Sequence, residues 1–97
     1  MVFNRSPAIC TYPDEKCENL IIEVVLPGVE KKDISFKINE DSFYVAARKE
    51  GVQYLDSYST CCPVNQEKAV AKYSNGILKV TVPYQQPLNK LVDVKIE

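Results

Sequence analysis

Four cysteines, at positions 10, 17, 61 and 62, carry the most reactive side chains in the sequence, and there is no histidine. Thiolates hold zinc when they come in paired knuckles of set spacing. Neither the Cys10–Cys17 step nor the adjacent Cys61-Cys62 pair gives that spacing. A four-thiolate site would need all four to converge. A direct Cys61–Cys62 disulfide would strain the geometry that such bonds prefer. The thiols therefore read as reduced, partly packed as small apolar groups, with a redox role for the adjacent pair left open.

Other chemistry finds little footing. Proton transfer at neutral pH most often uses histidine, which is absent. The three glycines, 28, 51 and 76, stand alone at turns and form no phosphate cradle. No serine sits in a nucleophile elbow, and the carboxylates fall on turns and polar strand faces. No catalytic residue, metal ligand set or cofactor is expected, so the search turns from catalysis to binding. Twelve basic against 13 acidic residues leave a net charge of −1. That balance favours neither nucleic acid nor a lipid surface. The most apolar run, Leu20 to Leu26, is short and holds Glu23, so no membrane span is expected. The opening residues lack the apolar stretch of a signal peptide, and the expected compartment is the cytoplasm.

The elements that must carry any binding surface are strands. Ninety-seven residues suit one domain with a single core. Apolar residues alternate with period two in Ile9 to Tyr12, Asn19 to Leu26, Asp33 to Asn39, Phe43 to Arg48, Lys68 to Tyr73, Ile77 to Val82 and a last run, Leu91 to Ile96. Val52 to Cys62 reads less clearly, because Asp56 and several serines interrupt it. Turn residues recur every eight to twelve positions, as in Pro27-Gly28 and Ser74-Asn75-Gly76. The pattern predicts an all-β fold: an antiparallel, immunoglobulin-like β-sandwich of seven to nine short strands. The expected organisation is a short N-terminal arm over 1–7, the sandwich over 8–83, and a C-terminal extension over 84–97.

Two segments carry a resemblance. "LPGVEKKDISFKINEDSFYVAARK", Leu26 to Lys49, joins a leucine-proline-glycine turn to two alternating strands and an arginine. Ala71-Lys72-Tyr73-Ser74-Asn75-Gly76-Ile77-Leu78 follows at a fitting separation. Together they resemble the small heat-shock protein, or α-crystallin domain, family, whose hallmark is A-x-x-x-N-G-[VI]-L. In that hallmark turn Asn75 and Gly76 supply the positive φ angles of a tight hairpin, Ala71 is small enough for close approach, and Leu78 begins an apolar strand face.

The resemblance implies an ATP-independent holdase chaperone that binds unfolding client proteins and associates with itself as a dimer or small oligomer. It implies an apolar groove between Asp33–Asn39 and Ile77–Val82, with Ile34, Phe36, Ile38, Leu78, Val80 and Val82 as candidate lining. Some of these must serve the core instead, since each strand of a sandwich needs one buried face. Val94-Lys95-Ile96 resembles the family's terminal I-x-I/V peptide, which docks in a partner's groove through Val94 and Ile96. The other reading of Leu91–Ile96 is a last strand of its own sandwich. The sequence also departs from the family. Few residues precede the first strand, and Gly51 to Tyr54 offers only a reduced version of the loop strand that relatives exchange. Tyr58 and Cys62-Pro63 stand where relatives often have arginine and Leu-Pro. These departures suit an alternative, a monomeric CS-domain-like co-chaperone or adaptor that binds one folded partner.

Overall fold

The computed structural model describes residues 3–85 and 94–97. Its strands are β1 (Phe3–Arg5), β2 (Ala8–Pro13), β3 (Asn19–Val25), β4 (Ile34–Ile38), β5 (Ser42–Lys49), β6 (Val52–Ser59), β7 (Val70–Ser74) and β8 (Ile77–Pro83). Two short 3₁₀ turns, Lys31–Asp33 and Gln66–Lys68, are the helical pieces among the described residues. One sheet has the order β1-β6-β5-β4 and the other β2-β3-β8-β7. Every strand pair is antiparallel except β1 with β6. The all-β sandwich of eight strands agrees with the reading from periodicity.

The core follows from alternation. Leu20, Ile22 and Val24 of β3 lie directly across from Val82, Val80 and Leu78 of β8, and all six are buried. The other sheet answers with Phe43, Val45 and Ala47 of β5 and Tyr54 of β6. Side chains at every second position leave each sheet on the same side, so two apolar faces meet and exclude water.

The boundaries differ from those expected. The stretch 1–7, expected as an arm, contributes β1: Phe3, Asn4 and Arg5 pair in parallel with Val52, Gln53 and Tyr54. Three residues are too few for a periodicity to be read. At the other end the fold extends past Pro83. Tyr84 bridges Val64, its N–H donates to Glu18 O at 3.0 Å, and the Gln85 N–H donates to Pro63 O at 3.0 Å. Of the expected run Leu91–Ile96, residues 94–96 take no strand conformation, and 91–93 lie outside the described residues.

The unclear stretch Val52–Cys62 resolves into β6, paired along its whole length with β5. Asp56 lies across from the buried Val45, so it occupies the inward face of the strand, and this charge is what broke the alternation. β1 covers only Val52–Tyr54 of the outer edge of β6. An inward charge beyond that cover is one way to discourage edge-to-edge pairing.

Candidate functional site

Topology sets which strands share a rim. β1 is an outer strand of one sheet and β2 an outer strand of the other, and only Ser6 and Pro7 join them. Three Cα steps span at most about 11 Å, close to the ~10 Å between packed sheets. Those two edges therefore lie on one side of the sandwich. The remaining edges, β4 and β7, lie on the opposite side, and any groove between the sheets there would be lined from them.

Its lining follows from cross-strand register. Ile34, Phe36 and Ile38 of β4 lie across from Ala47, Val45 and Phe43, all buried. They share that inward face, yet each is half-buried, because a rim strand has a neighbour on one side only. On β7, Ala71 and Tyr73 lie across from the buried Val80 and Leu78. Ala71 faces inward and is nevertheless exposed, so the space above it is open. Phe36 stacks on Phe43 at 5.5 Å between centroids, and Phe43 on Tyr58 at 5.8 Å. An apolar, partly aromatic floor thus runs inward from β4.

Three of the six candidates serve the core, as one buried face per strand requires. Leu78, Val80 and Val82 belong to the core, because β8 is an interior strand between β3 and β7. The rim strand facing β4 is β7. Its alternation is weaker than that of β8: Val70, Lys72 and Ser74 point outward, and Ala71 and Tyr73 point in. Ala71 was singled out for its small size, which is the property that leaves the groove open. Val94 and Ile96 are 81% and 93% exposed, and so rest against no part of the sandwich.

The two segments that carry the resemblance are tied to each other. The Tyr73 hydroxyl lies 2.7 Å from Leu26 O and 2.6 Å from Val29 O, sharing its proton between two carbonyls. The Leu26 N–H donates to Gly76 O at 2.7 Å. Lys49 Nζ donates to Pro27 O at 2.8 Å and stands 5.9 Å over the Tyr54 ring. The Leu26-Pro27-Gly28 turn, which leads from β3 across to β4, is thus clamped to the β7–β8 hairpin. That hairpin turns at Asn75 and Gly76, with φ of 53° and 78°. These are the positive angles a two-residue hairpin needs.

Electrostatics contribute little at the groove. Among the described residues the one ion pair, Lys32–Glu30 at 3.4 Å, is highly exposed and worth at most about 1 kcal/mol. Lys72 lies directly across from Lys79 on the outer face. Elsewhere the Asp14 carboxylate accepts the Asn19 side-chain amide at 2.8 Å and the Glu18 and Asn19 backbone N–H groups. The Asn19 side chain first, and these N–H groups after it, hold the carboxyl below its ordinary range. Among the described residues no group of three or more cysteine or carboxylate side chains could hold a metal ion. Nor is any helix there long and apolar enough to cross a membrane.

The antiparallel-rich sandwich thus carries the A-x-x-x-N-G-I-L hairpin between β7 and β8. No protein-family model matches the sequence. The fold is shared with solved heat-shock proteins. Heat shock protein 16.0 from Schizosaccharomyces pombe superposes with a TM-score of 0.74 at 20% identity, covering 96% of this chain and 99% of that one. A small heat-shock protein from Xylella fastidiosa superposes with a TM-score of 0.71 at 10% identity, covering 96% and 97%. In sequence the chain is 26% identical over 106 residues to a protein described as "Probable 15 kDa heat shock protein" of Leptospira interrogans serogroup Icterohaemorrhagiae serovar Lai, covering 95% of this chain and 80% of that protein. The chain resembles the small heat-shock proteins in both sequence and fold.

Proposed function

We propose that this chain is a cytoplasmic, ATP-independent holdase, which holds extended apolar segments of unfolding proteins in the β4–β7 groove without catalysis or cofactor. The observation that carries this reading is the inward yet uncovered face made by Ile34, Phe36, Ile38, Ala71 and Tyr73. An extended segment there gains main-chain hydrogen bonds from a strand edge, while its alternate side chains enter the groove. The exposed Val94 and Ile96 fit the same description, so the tail of one copy is the natural occupant of another's groove. Burying each would contribute about 1.5–3 kcal/mol, offset by ordering costs, which suits reversible dimers or small oligomers.

The purified protein should slow heat-induced aggregation of a model client at near-stoichiometric ratio. No protection at several-fold excess would overturn the reading. One feature favours the adaptor alternative: β5 and β6 are joined by the two-residue turn Glu50-Gly51, which leaves no strand to exchange with a second copy. Native mass separates the two. Oligomers that dissociate on Val94→Ala/Ile96→Ala support the holdase, and a monomer indifferent to those changes supports the adaptor.

A further inference from the structure

On the long side away from the β4–β7 rim, β2 offers a second unpaired strand edge. Among the described residues β2 pairs with β3 alone. Each other outer strand carries a charge: Arg5 on β1, Lys37 on β4 and Lys72 on β7. β2 carries none over its six residues. Charged edge residues guard against edge-to-edge association, so a bare edge invites it.

The ladder shows which groups point outward. The Asp14 N–H donates to Asn19 O at 2.9 Å, one step beyond the Pro13–Leu20 pair of the β2–β3 register. Hydrogen-bonded pairs alternate in an antiparallel ladder. Tyr12, Cys10 and Ala8 therefore turn their N–H and C=O toward β3, and Ile9 and Thr11 turn theirs away from it. Proline at 7 and 13 has no N–H, so the outward donors are those of Ile9 and Thr11. The side chain of Thr11 lies across from the buried Ile22 on the inward face, yet is exposed, so this side of the sheet is open. Cys10 is exposed on the outer face, across from Glu23. The Tyr12 hydroxyl donates to Glu23 Oε1 at 2.8 Å, which draws that ring over its own sheet and away from the edge.

We propose that a second copy of this chain docks on this edge, with two β2 strands pairing antiparallel about Cys10 so that the two four-stranded sheets become one. The outward groups dictate the register. With Ile9 opposite Thr11 of the second copy, and Thr11 opposite its Ile9, every outward N–H and C=O of these residues is bonded. A shift of two residues either way sets Pro7 or Pro13 against a carbonyl that then goes unpaired. Cys10 falls on the two-fold axis, in a non-hydrogen-bonded pair whose Cα atoms stand about 4.5 Å apart. That lies within the roughly 4.4–6.8 Å of disulfides. Ala8 faces Tyr12 of the second copy, small against large, and no like charges meet along the seam. The β4–β7 rim lies on the opposite side, so this docking goes beyond the proposed function and does not rest on it.

Oxidised glutathione reads the register on the full chain. Two protein thiols become one disulfide, and their two electrons and two protons pass to glutathione, which leaves as two thiols. A covalent dimer should appear by intact mass, be lost with Cys10→Ser, and persist with Cys17→Ser, Cys61→Ser or Cys62→Ser. Within the Cys10→Ser chain, Ala8→Cys should link to Tyr12→Cys of a second chain roughly tenfold faster than to itself. Thr11→Pro removes an outward donor and no β2–β3 bond. It should weaken the noncovalent dimer roughly thirtyfold, the scale of two lost hydrogen bonds. Val94→Ala/Ile96→Ala should leave this dimer whole, so its failure and that of the proposed function read differently. A chain that stays monomeric under oxidised glutathione overturns the docking. So does a covalent dimer that survives Cys10→Ser, Ala8→Cys linking to itself as fast as to Tyr12→Cys, or a native dimer unmoved by Thr11→Pro.

Discussion

Gly76 meets Pro27 backbone to backbone: a Cβ built on the glycine would stand 3.3 Å from the proline Cα. The contact joins the two motifs that first suggested the family, and it gives Gly76 two reasons to be glycine. Its φ of 78° is left-handed, and it has no room on the side facing Pro27. Gly51 has nearly the same φ, 76°, with nothing within 4 Å. Urea unfolding should therefore show Gly51→Ala costing about 1 kcal/mol, the strain alone, and Gly76→Ala more, about 2–3 kcal/mol. Equal losses would mean that the contact with Pro27 is slack.

Tyr73 is the second link between those motifs. Tyr73→Phe keeps the ring and removes the proton shared by Leu26 O and Val29 O. Thermal or urea unfolding should register a loss of about 1–2 kcal/mol. Because the freed turn leads into β4, client protection should fall along with stability.

Core and groove can be separated by substitution. Leu78→Ala should cost about 2–5 kcal/mol, as for other buried leucines. Ala71→Glu, one strand over, places a charge at the open rim. It should change stability by no more than about 0.5 kcal/mol while cutting protection of a client several-fold. Lys72→Gln, on the outer face of the same strand, serves as control and should leave protection intact.

Acid should weaken the fold through Asp14. Its folded-state carboxyl titrates below the ordinary 3.8. The stabilisation is thus present above pH 3.8 and is lost as pH falls through the lower folded value. Asp14→Ala should be less stable than the native chain at pH 7, and the gap should close as pH drops below 3.8. A gap that persists at lower pH would assign the effect to packing.

Alkali should act through Tyr84. Its phenol, raised from 10.0 to about 12 chiefly by burial, stabilises the fold fully below pH 10. That contribution fades as pH rises toward 12. Tyr84→Phe should match the native chain within about 1 kcal/mol at pH 7, since no hydrogen bond is lost, and should lose less stability between pH 10 and 12.

The architecture was legible because the buried rows announce themselves. Leu20, Ile22 and Val24, then Leu78, Val80 and Val82, alternate without interruption. The same clarity misled at the groove. A strand that reads as strongly apolar on one face is an interior strand, and a rim strand carries a weaker pattern. β7, legible as the run Lys68 to Tyr73, is such a strand, whereas the expected lining falls on the interior strand β8. β1 was illegible because three residues hold no period. Asp56 obscured β6 because an inward charge is tolerated only where the sheet's edge is partly uncovered. The contacts of Tyr84 with Glu18 and Val64 join segments far apart in the chain, which no local pattern records.

Ser6 and Pro7 stitch the sandwich shut along one long side, and the side opposite is crossed at one end by the Leu26-Pro27-Gly28 turn and the Tyr73 hydroxyl bonded to it. Under the proposed function a guest strand would slide in sideways and peel away one residue at a time, with no end to thread. Residence time would then scale with how many side chains are seated at once, and a longer guest would stay longer without any input of chemical energy.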